Sequence, residues 1–380
     1  MVLKNKEAGL IKSDIRLFET ENGTRELHAI VESGSSDTIS SWKMVEEELK
    51  RIESENNLLT KNRLFSRVFL NDVAVQAVLL RENFPETFDF NISVVGQTPL
   101  MGSTLAVWVY WVDGDKNVEQ TRFGNLFESN GLTHVWTSGL VADEARDVAG
   151  QTTEIFEKYK HILGQFDLNV KDHSIRTWLF SRDVDHEYAD LVNARNDFFD
   201  QNGLSKDTHY IASTGIQGSH EDHKQLVLMD TYSVAGIDQK QIEYLYAPTH
   251  LCPTCKYGVA FERGTTVTYG DRKHVIISGT ASINNKGEVI HLEDPKSQTV
   301  RTIENIHTLL SEAECELSDL AIAIVYLRNP EEIESVREVV EEKLPDTPKV
   351  YVYGPVCRPS WLVEIEGIAI KQAVSDFKKY

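Results

Sequence analysis

Two glutamates near the carboxyl end of the chain have a spacing that suggests chemistry. The apolar stretch "WLVEIEGIAI" carries Glu364 and Glu366. Successive residues of a β-strand face opposite sides, so this spacing places both carboxyl groups on one face of a predicted strand. If that face is enclosed, burial and the like-charged neighbour raise the pKa of one carboxyl, which can then act as a general acid near neutral pH. The alternative is an exposed sheet face with two solvated glutamates.

Arginines in the same part of the chain predict a site for an anion. Cys357 and Arg358 stand in the turn "VCRPS" before the glutamate strand, and Arg263 stands in "FERGT". The chain has 39 Lys and Arg against 59 Asp and Glu, a formal net charge of −20. Such a surface repels nucleic acid. A small anionic substrate therefore needs a local positive pocket, and guanidinium groups bind carboxylates in a bidentate manner.

The elements around these residues occur more than once. "THVWTSG" (133–139) resembles "KHVIISG" (273–279), and "GQTTEIFEKYKHILGQF" (150–166) matches "SQTVRTIENIHTLLSEA" (297–313). The apolar residues of the two long stretches coincide at i, i+3, i+6 and i+7, which predicts a helix with one buried face. A strand, a polar break, a second amphipathic helix and a closing pair of strands follow each of them.

The first third of the chain follows the same order less closely, with "ELHAIVESGSSD" as a strand and "SSWKMVEEELKRIESE" as the first helix. We therefore predict an α+β protein of three β-β-α-β-α-β-β units, at 1–118, 119–240 and 241–380. Each unit has a mixed sheet with two helices on one face. Three such sheets around a common axis form a single-chain pseudo-trimer, whose clefts between units are common positions for small ligands.

The three units differ at the positions of the two glutamates. Aligning "QLVLMDTYSV" with "WLVEIEGIAI" places Leu228 at the position of Glu364 and Asp230 at that of Glu366. In the first unit the corresponding strand has Val107 with apolar neighbours. Only the third unit has both the first glutamate and the arginine of the turn. The sequence therefore predicts one working cleft and two structural ones.

Ser278 and Gly279 end the predicted strand "KHVIISG", and the same pair recurs as Ser33-Gly34 and Ser138-Gly139. A residue without a Cβ allows the main chain to approach a ligand closely. We expect Ser278 and Gly279 to form the floor of the working cleft.

The third unit, residues 257–371, resembles the reactive-intermediate deaminase (Rid) fold through "VIISG", "VYLRNPEEIESVREVVEE" and "VCRPSWLVEIEGIAI". Members of that family form trimers with sites between subunits. A chain with this unit in tandem, with "YLYAPTHLCPTCKYGVAFERGT" before "IISGTASI" and "STGIQG" in the middle unit, resembles the chorismatases more specifically. These enzymes remove the enolpyruvyl side chain of chorismate as pyruvate, and the resemblance implies that no metal or organic cofactor takes part.

The resemblance implies a role for each candidate residue. Glu364 is the acid that protonates the terminal methylene carbon of the enol ether, and the oxocarbenium ion is captured by water or by an internal hydroxyl. Arg358 and Arg263 hold the two carboxylates. Cys357 lies beside the reacting ether as a small wall or weak donor. The second product is then a hydroxybenzoate or a dihydroxycyclohexadiene carboxylate.

By the same resemblance, Tyr257 and Tyr246 line the ring of the substrate, whereas ordinary sheet packing is the explanation from the residues alone. Two other functions fit the site. A Rid-type imine or enamine deaminase would use Arg358 for the substrate carboxylate and Glu364 for a positioned water. A non-catalytic protein that binds aromatic acids is the other, although a buried glutamate gives a carboxylate receptor no advantage.

Composition also limits location and assembly. No apolar run approaches the roughly 20 residues of a spanning helix, and the N-terminus lacks the apolar segment of a signal peptide, so we expect a cytoplasmic protein, a monomer or weak homo-oligomer. Cys252 and Cys255 in "HLCPTC" form one pair, but a structural zinc site needs two pairs of ligands. We therefore expect no metal, and a reversible disulfide between these two cysteines stays open.

Overall fold

The computed structural model describes residues 2–4, 11–21, 23–35, 37–88, 91–113, 118–254 and 258–380. Within these ranges the strands form three mixed sheets of six strands each, one after another along the chain. Three tandem α+β units are therefore present, as the sequence predicted. No helix within the described ranges is both long and apolar enough to cross a membrane.

The first unit packs two helices against its sheet. Its elements are β1 (Val2–Lys4), β2 (Ile11–Glu19), β3 (Arg25–Ser33), α1 (Thr38–Glu55), β4 (Arg63–Leu70), α2 (Val73–Asn83), β5 (Ser93–Gly96) and β6 (Leu105–Val112). The strand order is β1-β2-β3-β6-β4-β5, and only β4 and β5 pair in parallel among these strands.

The second unit has one additional short helix. Its elements are β7 (Val118–Thr121), β8 (Gly124–Ser129), β9 (Leu132–Leu140), α3 (Val148–Gly164), α4 (Val170–His173), β10 (Ser174–Ser181), α5 (Val184–Gln201), β11 (Ala212–Gln217) and β12 (Val227–Ala235). The sheet order is β11-β10-β12-β9-β8-β7.

The third unit repeats the pattern of the first. Its elements are β13 (Ile242–Leu245), β14 (Gly264–Thr268), β15 (Arg272–Ala281), α6 (Pro295–Glu312), β16 (Leu320–Leu327), α7 (Ile333–Lys343), β17 (Lys349–Tyr353) and β18 (Val363–Gln372). The sheet order is β13-β14-β15-β18-β16-β17.

The order of strands and long helices in each unit matches the prediction; the differences are the short helix α4 of the second unit and the strands at the sheet edges. In the described residues each unit begins with an extra edge strand, namely β1, β7 or β13. These strands have three or four residues, too few for a hydrophobic alternation to be recognised. β7 begins at Val118, and the limits 1–118, 119–240 and 241–380 stay a prediction.

Local sequence explains where the long helices begin and which face they bury. Asp37, Asp147 and Asp294 are N-cap residues whose side chains accept a hydrogen bond from a backbone N–H in the first turn of α1, α3 and α6. Such caps satisfy donors that the helix leaves unpaired. Along α6, Ile303 and Leu310 are buried at the heptad spacing of one helix face.

The faces opposite the helices meet along a common axis. Trp108 of the first unit, Trp178 of the second and Ile322 of the third border the same small void of about 10 Å³. The rings of Trp108 and Trp178 lie 6.1 Å apart in an edge-to-face arrangement. The three units thus share an apolar core around a pseudo-threefold axis.

Charged residues interrupt this core. Arg67 of β4 donates to Asp230 of β12 over 2.7 Å, and both side chains are fully buried. Arg176 of β10 pairs with Glu366 of β18, and Arg67 lies 3.8 Å from the same carboxylate. Buried charges are tolerated when they are paired in this way, and the pairs connect all three units.

Candidate active site

Most of the predicted site residues lie in one cleft between the second and third units. This cavity has a volume of about 300 Å³ and is lined from the second unit by α5 and β11. The third unit contributes β15, β18 and the turn between β17 and β18. The cavity size is that of a small-ligand pocket, roughly 300–1,000 Å³. The predicted site residues on its wall are Arg263, Gly279, Cys357, Arg358 and Glu364.

Glu364 is the acidic side chain of the cavity. Its strand position is fixed on both sides, since it pairs with Ala281 on β15 and with Tyr326 on β16. The residue is 5% exposed, and burial, followed by the charge of Glu366, raises the pKa of its carboxyl to about 8. Glu364 is therefore mostly protonated at neutral pH.

Glu366 has a different position, although it lies on the same strand face as the sequence predicted. It is 3% exposed and borders the axis rather than the cavity. Its carboxylate accepts hydrogen bonds from Trp178 at 3.0 Å and from Tyr326 at 2.9 Å, in addition to the pair with Arg176. The two glutamates thus lie in different surroundings, one facing open space and the other fully engaged.

Gly279 lies directly beneath the Glu364 carboxyl. A Cβ at this glycine would stand 2.2 Å from Oε1 of Glu364, so only a residue without a side chain fits there. The pairing of β15 with β18 shifts register between Ile277 and Thr280, and β15 continues to Ala281. The predicted strand end at Ser278-Gly279 was wrong, because the pair forms an irregularity inside the strand.

Ser278 serves the interface between units rather than the cavity. It is fully buried, and its hydroxyl donates to the carbonyl of Glu262 at 2.6 Å. The same oxygen accepts from the backbone N–H of Ser213 on β11 at 2.9 Å. Ser278 therefore holds β11 of the second unit against β15 of the third, just below the cavity.

Three arginines line the cavity among the residues that the structure describes. Arg263 is 5% exposed and donates to the carbonyl of Cys252 at 3.0 Å. The guanidinium of Arg358 stacks over Trp361, 4.8 Å from the ring centre. Arg195 of α5 is 1% exposed. These charges make the cleft locally positive in a protein whose net charge is −20.

Cys357 faces Tyr188 of α5. The thiol interacts with the Tyr188 side chain, and burial together with the charge of Glu364 raises the pKa of Cys357 to about 12. The thiol is therefore neutral at physiological pH and lacks the thiolate that a cysteine nucleophile needs. Burial also keeps the pKa of Tyr188 well above its usual range.

The two predicted tyrosines are not brought into this cavity. Tyr246 is 50% exposed and borders a neighbouring cavity of about 110 Å³, which shares Phe261 and Arg263 with the larger one. Tyr257 and Cys255 lie outside the described residues. Cys252, Cys315 and Cys357 are free thiols, and within the described ranges no cluster of His, Cys, Asp or Glu is arranged to hold a metal ion.

The second unit supplies residues that sequence reasoning missed, namely Tyr188, Arg195 and Thr214. One signal for Arg195 was available, because it stands beside Leu191 and Phe198 on the buried face of a predicted amphipathic helix. Thr214 stands on the strand β11, parallel to β10, and its position in the cleft depends on the packing of two units.

Comparisons with known proteins agree with this architecture. The family model described as Endoribonuclease L-PSP matches residues 265–371. The chain is 29% identical over 222 residues to 3-hydroxybenzoate synthase of Streptomyces hygroscopicus, which is 51% of this chain and 63% of the relative. It is 32% identical over 100 residues to a RutC family protein of Pyrococcus abyssi, 26% of this chain and 79% of that protein.

The similarity to the crystal structure of a chorismatase extends over nearly the whole molecule. The superposition has a TM-score of 0.64 at 16% identity and covers 96% of this chain and 100% of the other. The predicted family resemblance and the predicted fold of tandem Rid-like units are confirmed by these comparisons. The chain therefore belongs to the RutC family and has the fold of a chorismatase, built from three Rid-like units in one polypeptide.

Proposed function

We propose that this protein cleaves chorismate and releases pyruvate from its enolpyruvyl ether. The observation that carries the proposal is a buried carboxyl group, that of Glu364, enclosed in one cavity with three arginines. Burial raises the pKa of this carboxyl to about 8. The cavity thus pairs a proton donor at neutral pH with cations for an anionic substrate. The relatives' names, 3-hydroxybenzoate synthase and chorismatase, support the same reaction.

Glu364 begins the proposed reaction. Its proton goes to the terminal methylene carbon of the enol ether, whose electron pair forms the new C–H bond and leaves an oxocarbenium ion. Water adds to the ether-bearing carbon of this ion and returns a proton to Glu364. The hemiketal then collapses to pyruvate and a ring alcohol, with one water consumed. If an internal hydroxyl of the substrate captures the cation instead, loss of pyruvate and aromatisation give a hydroxybenzoate, and no water is consumed overall.

The arginines bind and orient the two carboxylates of the substrate. Arg358 and Arg263 are the predicted pair, and the cavity adds Arg195 from the opposite wall. Arg195 and Arg263 are almost fully buried, where a charged hydrogen bond is stronger than in water. Cys357 is neutral and forms part of the wall beside the reacting ether.

Incubation of the purified protein with chorismate tests this function. We expect pyruvate to form with turnover, together with one ring product that mass spectrometry and absorbance identify. Ammonia release from 2-iminobutyrate without pyruvate from chorismate would favour the deaminase function, to which 29% identity over 97 residues with 3-aminoacrylate deaminase RutC of Acinetobacter baylyi also points. Tight binding of aromatic acids without turnover would favour a receptor.

The pH dependence of the rate follows from the proton on Glu364. Because burial raises the pKa of this carboxyl to about 8, we expect kcat/KM to be constant below that pH. Above it, kcat/KM falls about tenfold per pH unit, since only the protonated acid can donate. A rate of pyruvate release that rises through pH 8 would contradict a general acid at this position.

Replacing Gly279 with alanine tests the position of the acid. The new methyl group occupies the space of Glu364 Oε1, so the carboxyl must rotate away from its place in the cavity. We expect kcat to fall at least about tenfold, because misplacement by about 1 Å has effects of this size or larger. Gly164→Ala is the matched control, since a Cβ at that helical glycine contacts nothing within 4 Å; equal losses in both variants would contradict the prediction.

A further inference from the structure

Glu366 is surrounded by hydrogen-bond donors from two units. Its Oε1 accepts from the indole N–H of Trp178 at 3.0 Å and from the hydroxyl of Tyr326 at 2.9 Å. Its Oε2 accepts from Arg176 and from Thr214. Arginine and tryptophan side chains can only donate. A proton on either oxygen of Glu366 would therefore have to displace one of these donors.

The hydroxyl of Thr214 has only one possible orientation. It accepts from the backbone N–H of Gly279 at 2.9 Å and from the Arg176 guanidinium. Both lone pairs of the oxygen are then used, so its single proton must point at Glu366. Of the four partners, only the Tyr326 hydroxyl could accept a hydrogen bond from a protonated Glu366. Burial holds the pKa of Tyr326 well above its usual range, so this hydroxyl keeps its own proton for the bond to Glu366.

The charges around the two glutamates also favour a proton on Glu364 over one on Glu366. Glu366 lies against Arg176 of β10 and 3.8 Å from Arg67 of β4, whose other partner is Asp230. Glu364 faces the cavity, where no described residue donates a hydrogen bond to its carboxyl. The groups that act on Glu364 are Glu366, Arg176, Arg263, Cys357 and Tyr188.

We propose that Glu366 is a positioning residue of the cleft: donors from the second and third units occupy both of its oxygens, and the proton of the buried pair is held on Glu364. The location of the proton does not depend on the proposed function. Only the role of that proton rests on the proposed function, namely that Glu364 stays protonated where the substrate binds. Thr214 connects the two halves of the arrangement, because the hydroxyl that donates to Glu366 also holds the backbone of Gly279 under Glu364. The second unit thus supports the acid of the third.

Infrared difference spectra of the ligand-free protein, recorded across a pH titration, locate the proton. The wild type should show the carbonyl band of a buried carboxylic acid at pH 7, which disappears with a midpoint near 8. Glu364→Gln should remove this band. Glu366→Gln should retain a band whose midpoint is lower by roughly one pH unit or more, since a like charge has been removed. Glu262→Gln, at a buried carboxyl of the neighbouring cavity, should leave the band and its midpoint unchanged.

Survival of the band in Glu364→Gln with its loss in Glu366→Gln would place the proton on the axis and overturn the proposal, as would absence of the band from the wild type. The Glu364→Gln measurement decides the matter even if Glu366→Gln does not fold, because Glu364 stands outside the hydrogen-bond network. No substrate is added, so the result is independent of whether chorismate is cleaved. A protein without pyruvate release but with the expected spectra refutes only the proposed function.

Discussion

Glu364→Gln is expected to lower the rate of pyruvate release from chorismate by about a hundredfold to ten-thousandfold, the contribution of a positioned general acid. Glutamine has the same shape but cannot protonate the enol ether. The loss should appear in kcat, with KM changed little, because Arg195, Arg263 and Arg358 are untouched. Steady-state kinetics with a coupled pyruvate assay measure both constants.

Glu262→Gln provides the matched control, since it removes a buried carboxyl that lines the neighbouring cavity and not this one. Its kcat should stay within a fewfold of the wild type. If Glu364→Gln retained the wild-type kcat, the proton would come from another group and the role assigned to Glu364 would be wrong, although the reaction itself would stand.

The same variant should also change how stability depends on pH. The pKa of Glu364 is about 8 in the folded protein against an ordinary value of 4.5. Between these two values the folded state holds a proton that the unfolded state has lost, so the wild type loses stability as pH rises, by about 1.4 kcal/mol per pH unit. The glutamine variant lacks this loss, and comparing unfolding free energies at pH 5 and pH 8 reveals it.

Arg67→Met is expected to destabilise the protein by about 3–5 kcal/mol. The substitution removes the guanidinium from a fully buried pair and leaves Asp230 as a buried charge without its cation. It also removes a positive charge 3.8 Å from Glu366. Arg67 belongs to the first unit, so a large loss would mean that this unit, despite its divergent sequence, stabilises the axis of the whole pseudo-trimer. Chemical denaturation followed by tryptophan fluorescence measures the change.

Arg81→Met is the control for the second prediction. Arg81 and Glu221 also form an ion pair between the first and second units, at 3.0 Å, but their side chains are 36% and 22% exposed. Partly exposed pairs contribute about 1 kcal/mol or less. Equal destabilisation by both variants would indicate that burial of the Arg67 pair is unimportant.

Much of the architecture could be predicted from the sequence because its signals are local. Apolar periodicity predicted the helices from Thr38, Val148 and Pro295, and the repeat predicted three units in tandem. The edge strands β1, β7 and β13 could not be recognised, since strands of three or four residues acquire their structure by pairing with a neighbour.

The site also has one part that the sequence predicts and another that depends on tertiary packing. Alternation along one strand placed Glu364 and Glu366 on the same face, and the contrast with Leu228 and Val107 in the other units singled out the third unit. That inference needs only strand geometry, which the sequence by itself determines. The strand pairing places Ala106, and not Val107, at the position of Glu364. Cys357 and Arg358 were predicted beside Glu364 because their turn directly precedes its strand in the chain.

Only the tertiary structure separates the two glutamates. Their surroundings depend on groups from other units: Arg176 and Thr214 engage Glu366, whereas Glu364 faces a cavity closed by Arg195. These contacts join residues more than 150 positions apart, with no periodicity to connect them. The sequence determined that two carboxyl groups share one strand face. The packing of three units decided which of them faces the cavity, because burial and charge are properties of the assembled cleft.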